Sequence, residues 1–469
     1  ISVRATTSGN MLSTCAIAAL VCLLCGMAAA QSPTQPQPNV IEDLPFLSEP
    51  VNFAQYSGFI TVNQTYERAL FYWFVESQND PSNDPVLLWL QGGPGCAGTY
   101  ALFEEHGPYR IGTDQQLYLN EWSWNRDANV IFIDAPAGVG FSYSNTTQGL
   151  KTGDAQAAQD NYHFLQGFFS VFPQFASNDL WITGESYGGV YVPTLVNEIL
   201  TGTDTQLQQQ LKGVTIGNPV INCPALYTQG RSTQVDMFYY HGMISYQSRA
   251  QWYNSSCDGA VTQQCLEMYN TITESIGHFS GDDVYTNFCT GNGTLDAFEE
   301  VPNCSSLSIR TEWYLNNPQV QQVLGVDVPW ISCTFGLVTG FNYTKSHSNM
   351  LEYYESFFAT APNLRILIFS GDVDIDTVPH SQTQLCLSYL ERPTVQSWGP
   401  WTIQGPAIPN IIPGHQAKSL ITAGYVEQYD TYTYATVKGA GHEVPLYQPH
   451  FAYELFNRFV IQESPTLSS

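Results

Sequence analysis

Residues 181–191, WITGESYGGVY, set Ser186 between Gly184 and Gly188 at the spacing G-x-S-x-G. A serine hydroxyl attacks a carbonyl only when a base takes its proton and an acid orients that base. On a strand-to-helix turn of this kind, the acid and the histidine follow the serine in chain order. The stretch RILIFSGDVDIDTVP supplies three late aspartates, Asp372, Asp374 and Asp376, and VKGAGHEVP places His442 in a glycine-flanked loop. Strand-end aspartates commonly cap turns, and eight other histidines compete for the base position. The glycine loop favours His442, whereas the residues leave the choice among the three aspartates open.

Such groups act only if regular elements hold them together. Five short apolar runs predict buried parallel strands: PVLLWLQ (85–91), NVIFIDA (129–135), LWITGES (180–186), GVTIGN (213–218) and LRILIFSGD (364–372). DAQAAQDNYHFLQGFFSVFP (154–173) predicts a helix with an apolar face, closed by Pro173, and VYVPTLVNEIL (190–200) predicts another directly after the serine. Alternation of strand and helix predicts an α/β fold, a mostly parallel central sheet with flanking helices. YSGFITV (56–62) and ALFYWFV (69–75) read as a leading antiparallel hairpin. Gly184 and Gly188 fit a tight turn in which a side chain would strike the neighbouring strand or helix.

Residues 219–345 break this rhythm, being rich in Cys, Asn, Tyr and Ser, and are expected to form an inserted cap pinned by its own disulfides. The division expected is 1–30 upstream residues and signal peptide, 31–44 flexible arm, 45–218 first part of the core, 219–345 cap, and 346–469 second part of the core.

A formal net charge of −26 from only 15 basic residues opposes a phosphate backbone, so nucleic acid is not an expected partner. Residues 11–30, MLSTCAIAALVCLLCGMAAA, have the apolar run and small-residue end of a signal peptide, with a single membrane anchor as the alternative. No later stretch is long and apolar enough for a bilayer. Of 11 cysteines, eight lie beyond that segment, at 96, 223, 257, 265, 289, 304, 333 and 386, an even number that favours disulfides in an exported chain. None is arranged in the paired C-x-x-C spacing of a zinc site. Sequons at Asn63, Asn145, Asn254, Asn292, Asn303 and Asn342 agree with a secretory route.

Six motifs in order, WLQGGPGCAG, NVIFIDAPAGVGFSYS, GESYGG, NPQVQQVLGV, FSGDVDIDTVP and VKGAGHEVP, resemble the serine carboxypeptidase family of the α/β-hydrolase superfamily, over about residues 45–460. The resemblance implies Ser186 as nucleophile, His442 as base and, among the aspartates, Asp374 as its partner. It implies an oxyanion hole from the N–H groups of Gly93 and Tyr187. It also implies a grip on the substrate's free carboxylate by Gln91, Gly92, Glu105 and Glu185. Two carboxyls in one pocket share a proton, so they can donate to an incoming carboxylate, and binding should weaken as pH rises. The family usually has Asn where this chain has Gln91, an amide on a longer stem. Glu443 would either face the leaving residue and favour basic side chains, or stand as a solvated loop acid.

By the same resemblance Cys96 pairs with Cys333, leaving 15 possible pairings among the other six cysteines. The implied activity is removal of C-terminal residues from peptides and proteins at acidic pH. The implied place is a lysosome, a vacuole or the extracellular space. A homodimer is allowed, and no metal or organic cofactor is implied. Three other readings stand beside it: an acyltransferase, whose members tend to carry Asp where this chain has Glu185; a general esterase, which would not need Glu105 with Glu185; and a non-catalytic partner of other lysosomal enzymes.

Overall fold

The computed structural model describes residues 37–286, 307–334, 338–405 and 420–462. Its centre is a 12-stranded sheet. Six neighbouring strands run parallel, in the order Asn129–Ile133, Val86–Leu90, Leu180–Glu185, Leu211–Gly217, Arg365–Gly371 and Thr433–Val437. Five of these are the expected apolar runs almost whole, and every residue of Val86–Leu90, Asn129–Ile133 and Leu180–Glu185 is buried, as strands covered on both faces require.

Antiparallel strands extend both edges. Gln55–Asn63 and Arg68–Val75 form the expected hairpin, which joins the sheet through Asn129–Ile133. On the other edge Thr433–Val437 pairs with Leu420–Tyr429, which pairs with Thr394–Gln404. Reading the sequence names no strand after residue 372. Thr394–Gln404 is mostly exposed, contains Gly399 and Pro400, and has three register irregularities, so it offers neither an apolar run nor a clean alternation.

Helix Asp154–Val171 packs Ala157, Ala158, Phe164, Leu165 and Phe168 inward, as its period demands, and helix Gly188–Thr201 follows the serine. The first parallel strand, Val86–Leu90, lies between the second and the third, so the winding direction reverses there. In open parallel sheets, clefts form at the carboxyl ends of strands flanking such a reversal.

Residues 219–345 contribute helices Leu226–Tyr240, Tyr246–Asn254, Gln263–Ile276, Leu307–Leu315 and Pro318–Leu324 between the strands Leu211–Gly217 and Arg365–Gly371. Among the described residues, the bridges of this interval both close within it and tie it to the core. Cys257–Cys265 closes within it, but Cys96–Cys333 and Cys223–Cys386 tie it to the core. The expected Cys96–Cys333 pair is present, and Cys386, for which the sequence offers no partner, binds Cys223. Cys289, Cys304, Asn292, Asn303 and the 1–30 segment lie outside the described residues. Asn145, Asn254 and Asn342 are exposed and Asn63 is half-buried. Among the described residues, no helix is long and apolar enough to cross a membrane.

Candidate active site

Ser186 follows the last residue of strand Leu180–Glu185 and precedes helix Gly188–Thr201. Its φ is +56°, a left-handed conformation that side chains other than glycine rarely adopt, held by hydrogen bonds from Ser186 N to Gly217 O (3.0 Å) and from Val220 N to Ser186 O (2.9 Å). The glycines around it are required by contact. A Cβ on Gly184 would lie 2.5 Å from Leu90 O, and one on Gly188 3.0 Å from the same carbonyl. A Cβ on Gly92 would lie 2.5 Å from Ser186 Cβ and 2.7 Å from Tyr187 N. The loop after Val86–Leu90 therefore rests directly on the serine turn.

His442 follows the strand Thr433–Val437 and is buried; its Nδ1 lies 2.7 Å from Asp374 Oδ2. Asp374, fully buried, also accepts from Asn218 Nδ2 (2.9 Å) and from the backbone N–H of Thr377 and Val378 (3.1 and 3.0 Å). Burial pulls the His442 pKa down, but the adjacent Asp374 carboxylate outweighs it and raises the pKa overall. With Nδ1 facing Asp374, Nε2 is the nitrogen left for the serine proton. Among the described residues none accepts a hydrogen bond from the Ser186 hydroxyl, which is half-buried; such contacts are commonly open in unliganded sites.

The other two aspartates separate from this pair. Asp372 accepts the Gly439 N–H at 2.6 Å and so braces the histidine loop, while Asp376 is exposed and accepts from Gln234. Neither the Gly93 N–H nor the Tyr187 N–H donates to a backbone carbonyl among the described residues, which leaves both free for a ligand oxygen.

Gln91, Glu105 and Glu185 meet in a buried group beside the serine. Trp89 Nε1 donates to Gln91 Oε1 at 2.7 Å, and because an indole N–H can only donate, the amide must present Nε2 to the acids. That nitrogen lies 2.8 Å from Glu185 Oε1 and 3.1 Å from Glu105 Oε1, so the longer Gln stem still reaches both. The two buried carboxyls thus share one amide group, and their closeness disfavours ionising both. Burial first, and then the neighbouring Glu443 charge, push Glu105 up to about 8. Burial and the charges of Glu105 and Glu443 push Glu185 well above the carboxylate range.

Glu443 is no isolated loop acid. Its burial and the charge of Asp282, opposed by His442, raise it to about 7, and it acts electrostatically on Glu104, Glu105 and Glu185. Four groups escape the sequence reading. Asn218 directly follows the strand Leu211–Gly217 and donates to Asp374. The Asp282 carbonyl accepts the His442 N–H at 2.7 Å. Buried Glu104, raised to about 7 mainly by burial, accepts from the Thr311 hydroxyl. Trp89 sets the Gln91 amide. Only Asn218, at a strand end next to a glycine, carried a signal in the chain itself. Among the described residues no group of His, Cys, Asp or Glu could hold a metal ion.

A family model described as Serine carboxypeptidase matches residues 45–462. Serine carboxypeptidase 24 of Arabidopsis thaliana is 36% identical over 444 residues, covering 87% of this chain and 89% of that protein. Serine carboxypeptidase-like 32 of the same plant is 32% identical over 488 residues, covering 97% and 99%. Among solved structures, Kex1Δp, a prohormone-processing carboxypeptidase from Saccharomyces cerevisiae, superposes with a TM-score of 0.67 at 20% identity, covering 90% of this chain and 95% of that one, a likeness of fold.

Proposed function

The chain belongs to the serine carboxypeptidase family, and we propose that it removes C-terminal residues from peptides and proteins through an acyl-enzyme on Ser186. In this reading His442 takes the serine proton through Nε2, and Asp374 holds the ring and stabilises the imidazolium. The Gly93 and Tyr187 N–H groups receive the oxyanion; a donor in such a hole contributes about 3 kcal/mol to the barrier. Water then releases the acyl group with His442 again as base.

The observation that carries the proposal is the buried group of Gln91, Glu105 and Glu185 beside the nucleophile. Two ionised carboxylates would repel a peptide's terminal carboxylate. A pair sharing a proton, backed by an amide N–H and the bare backbone of Gly92, donates to it instead. Glu443, close to this pair, would face the leaving residue and favour basic side chains there. Residues 219–345 would act as a cap, supported by the Asp282 contact to His442. The three disulfides among the described residues support work in an oxidising compartment: the secretory pathway, a lysosome or vacuole, or outside the cell. Its partners would be peptide and protein C-termini, with neither nucleic acid nor stable membrane insertion, and a homodimer is compatible.

The test is hydrolysis of a blocked dipeptide with a free C-terminus beside its C-terminal amide, from about pH 4 to 8, with Ser186→Ala as the blank. Strong preference for the free acid, fading as pH rises, is expected. Equal cleavage of both substrates would favour a general esterase. Cleavage of neither, with turnover of an acyl-glucose donor, would favour an acyltransferase.

A further inference from the structure

Asp154 opens the helix Asp154–Val171 and is only 1% exposed, yet no step above uses it. Its carboxylate gathers five donors. Oδ1 accepts from the hydroxyls of Tyr187 (2.9 Å) and Tyr343 (2.8 Å). Oδ2 accepts from Ser346 N (2.5 Å), the Ser346 hydroxyl (3.1 Å) and His347 N (3.0 Å). A carboxylate has about four lone-pair sites, so this one is saturated. Burial alone would raise its pKa, but the donors outweigh burial and keep it ionised.

The approach of these donors is built into the backbone. Asn342–Thr344 runs parallel to Lys151–Gly153, and a Cβ on Gly153 would lie 2.6 Å from Thr344 O. Tyr187 and Tyr343 meet edge to face at 5.9 Å between centroids, and Lys345 Nζ lies 5.0 Å from the Tyr187 ring centre. Four of the five donors therefore come from residues 343–347 and fix the carboxylate itself. The fifth comes from the residue directly after the nucleophile.

We propose that Asp154 is a positioning residue: through the Tyr187 hydroxyl it fixes the side chain, and with it the backbone N–H, of the residue that supplies half of the oxyanion hole. The role rests on the acyl-transfer reading above. A donor displaced by about 1 Å can cost up to about 100-fold in rate, so an anchor at the far end of the Tyr187 ring has leverage on the chemistry.

Tyr187→Phe removes this one contact, and Tyr343→Phe removes a matched contact to the same oxygen that does not lead to the serine. Two rates are read with Tm: kcat on the blocked dipeptide, and labelling by a fluorophosphonate probe, in which Ser186 Oγ bonds to phosphorus and fluoride leaves. Tyr187→Phe should slow kcat and labelling by roughly tenfold, with KM within about twofold. Tyr343→Phe should lower Tm comparably and leave labelling within about twofold, because three donors still hold Oδ2. Asp154→Asn, if it folds, should slow labelling at least as much, and adding Tyr187→Phe should slow it no further. Tm losses with unchanged labelling in Tyr187→Phe would make the contact structural only and overturn the proposal. A wild-type protein that is not labelled overturns the acyl-transfer reading and the proposal with it. Labelling without dipeptide hydrolysis overturns only the carboxypeptidase reading, and the labelling rates of the variants then decide on Asp154.

Discussion

His442 and Asp374 are joined side chain to side chain, Nδ1 to Oδ2 at 2.7 Å, although 68 residues separate them in sequence. Asp374 receives every hydrogen that reaches it as an acceptor: from His442, from Asn218 and from two backbone N–H groups. Asp374→Asn keeps the shape but turns an NH2 group toward donors, so His442 loses the tautomer that leaves Nε2 free. The expected result is a fall in kcat of about 10⁴-fold with KM little changed, the size such a swap produces in serine hydrolases. Steady-state kinetics on the blocked dipeptide checks it, and a loss under tenfold would remove Asp374 from the role.

Asn218 offers a separate handle on the same carboxylate. Its Nδ2 donates to Asp374 and its Oδ1 accepts the buried Gly371 N–H at 3.0 Å. Asn218→Ala leaves that N–H unpaired, which costs about 1–3 kcal/mol. Denaturant unfolding should register that loss, and kcat should fall as Asp374 gains freedom, but by much less than in Asp374→Asn.

Asn218 also marks how far the sequence could be read. Val86–Leu90 and the start of Leu180–Glu185 were legible because strands buried on both faces are rich in apolar residues, and Ser186 was legible because its turn needs glycines at two fixed positions. The choice of Asp374 over Asp372 and Asp376 was not legible from the residues alone. All three follow the strand Arg365–Gly371 in one short loop, and what separates them is contact with His442, Gly439 and Gln234, each distant in sequence. The late hairpin was hidden for a different reason: Thr394–Gln404 packs little of its surface and so has no pattern to read. Glu104 was hidden because a buried acid looks like any other until its surroundings are known.

The bridge Cys223–Cys386 makes a stability prediction that no local pattern would have suggested. It closes a loop of 163 residues and joins the start of the inserted interval to helix His380–Ser388. Loop-closure entropy for that length gives about 5 kcal/mol. The double variant Cys223→Ser/Cys386→Ser should therefore lose Tm by much more than Cys257→Ser/Cys265→Ser, whose loop is 8 residues. Calorimetry on both checks the order; equal losses would mean that strain or packing, not loop length, sets the effect.

The raised pKa values of Glu105 and Glu185 link pH to both stability and binding. In the unfolded chain these groups ionise near 4.3. In the folded chain Glu105 holds its proton to about 8, and Glu185 is also raised well above the carboxylate range, by burial above all. Between those limits the native state binds more protons than the unfolded one, so stability is highest below about 4.3 and is lost as pH rises through the window to about 8. Glu185→Gln keeps a neutral partner for Gln91 and removes much of this slope: its Tm should match wild type at pH 4.5 and exceed it at pH 7.5. Binding follows the same protonation, so the wild-type KM for a free-acid dipeptide should rise as pH approaches and passes about 8, where Glu105 ionises. His442 acts in the opposite sense, because its raised pKa withdraws the neutral base as pH falls. The profile of kcat/KM should therefore have two limbs. Glu185→Gln should flatten the alkaline limb and leave the acid limb in place, whereas Asp374→Asn acts on the acid limb. An alkaline limb unchanged in Glu185→Gln would dismiss the acid pair as the group that holds the substrate carboxylate.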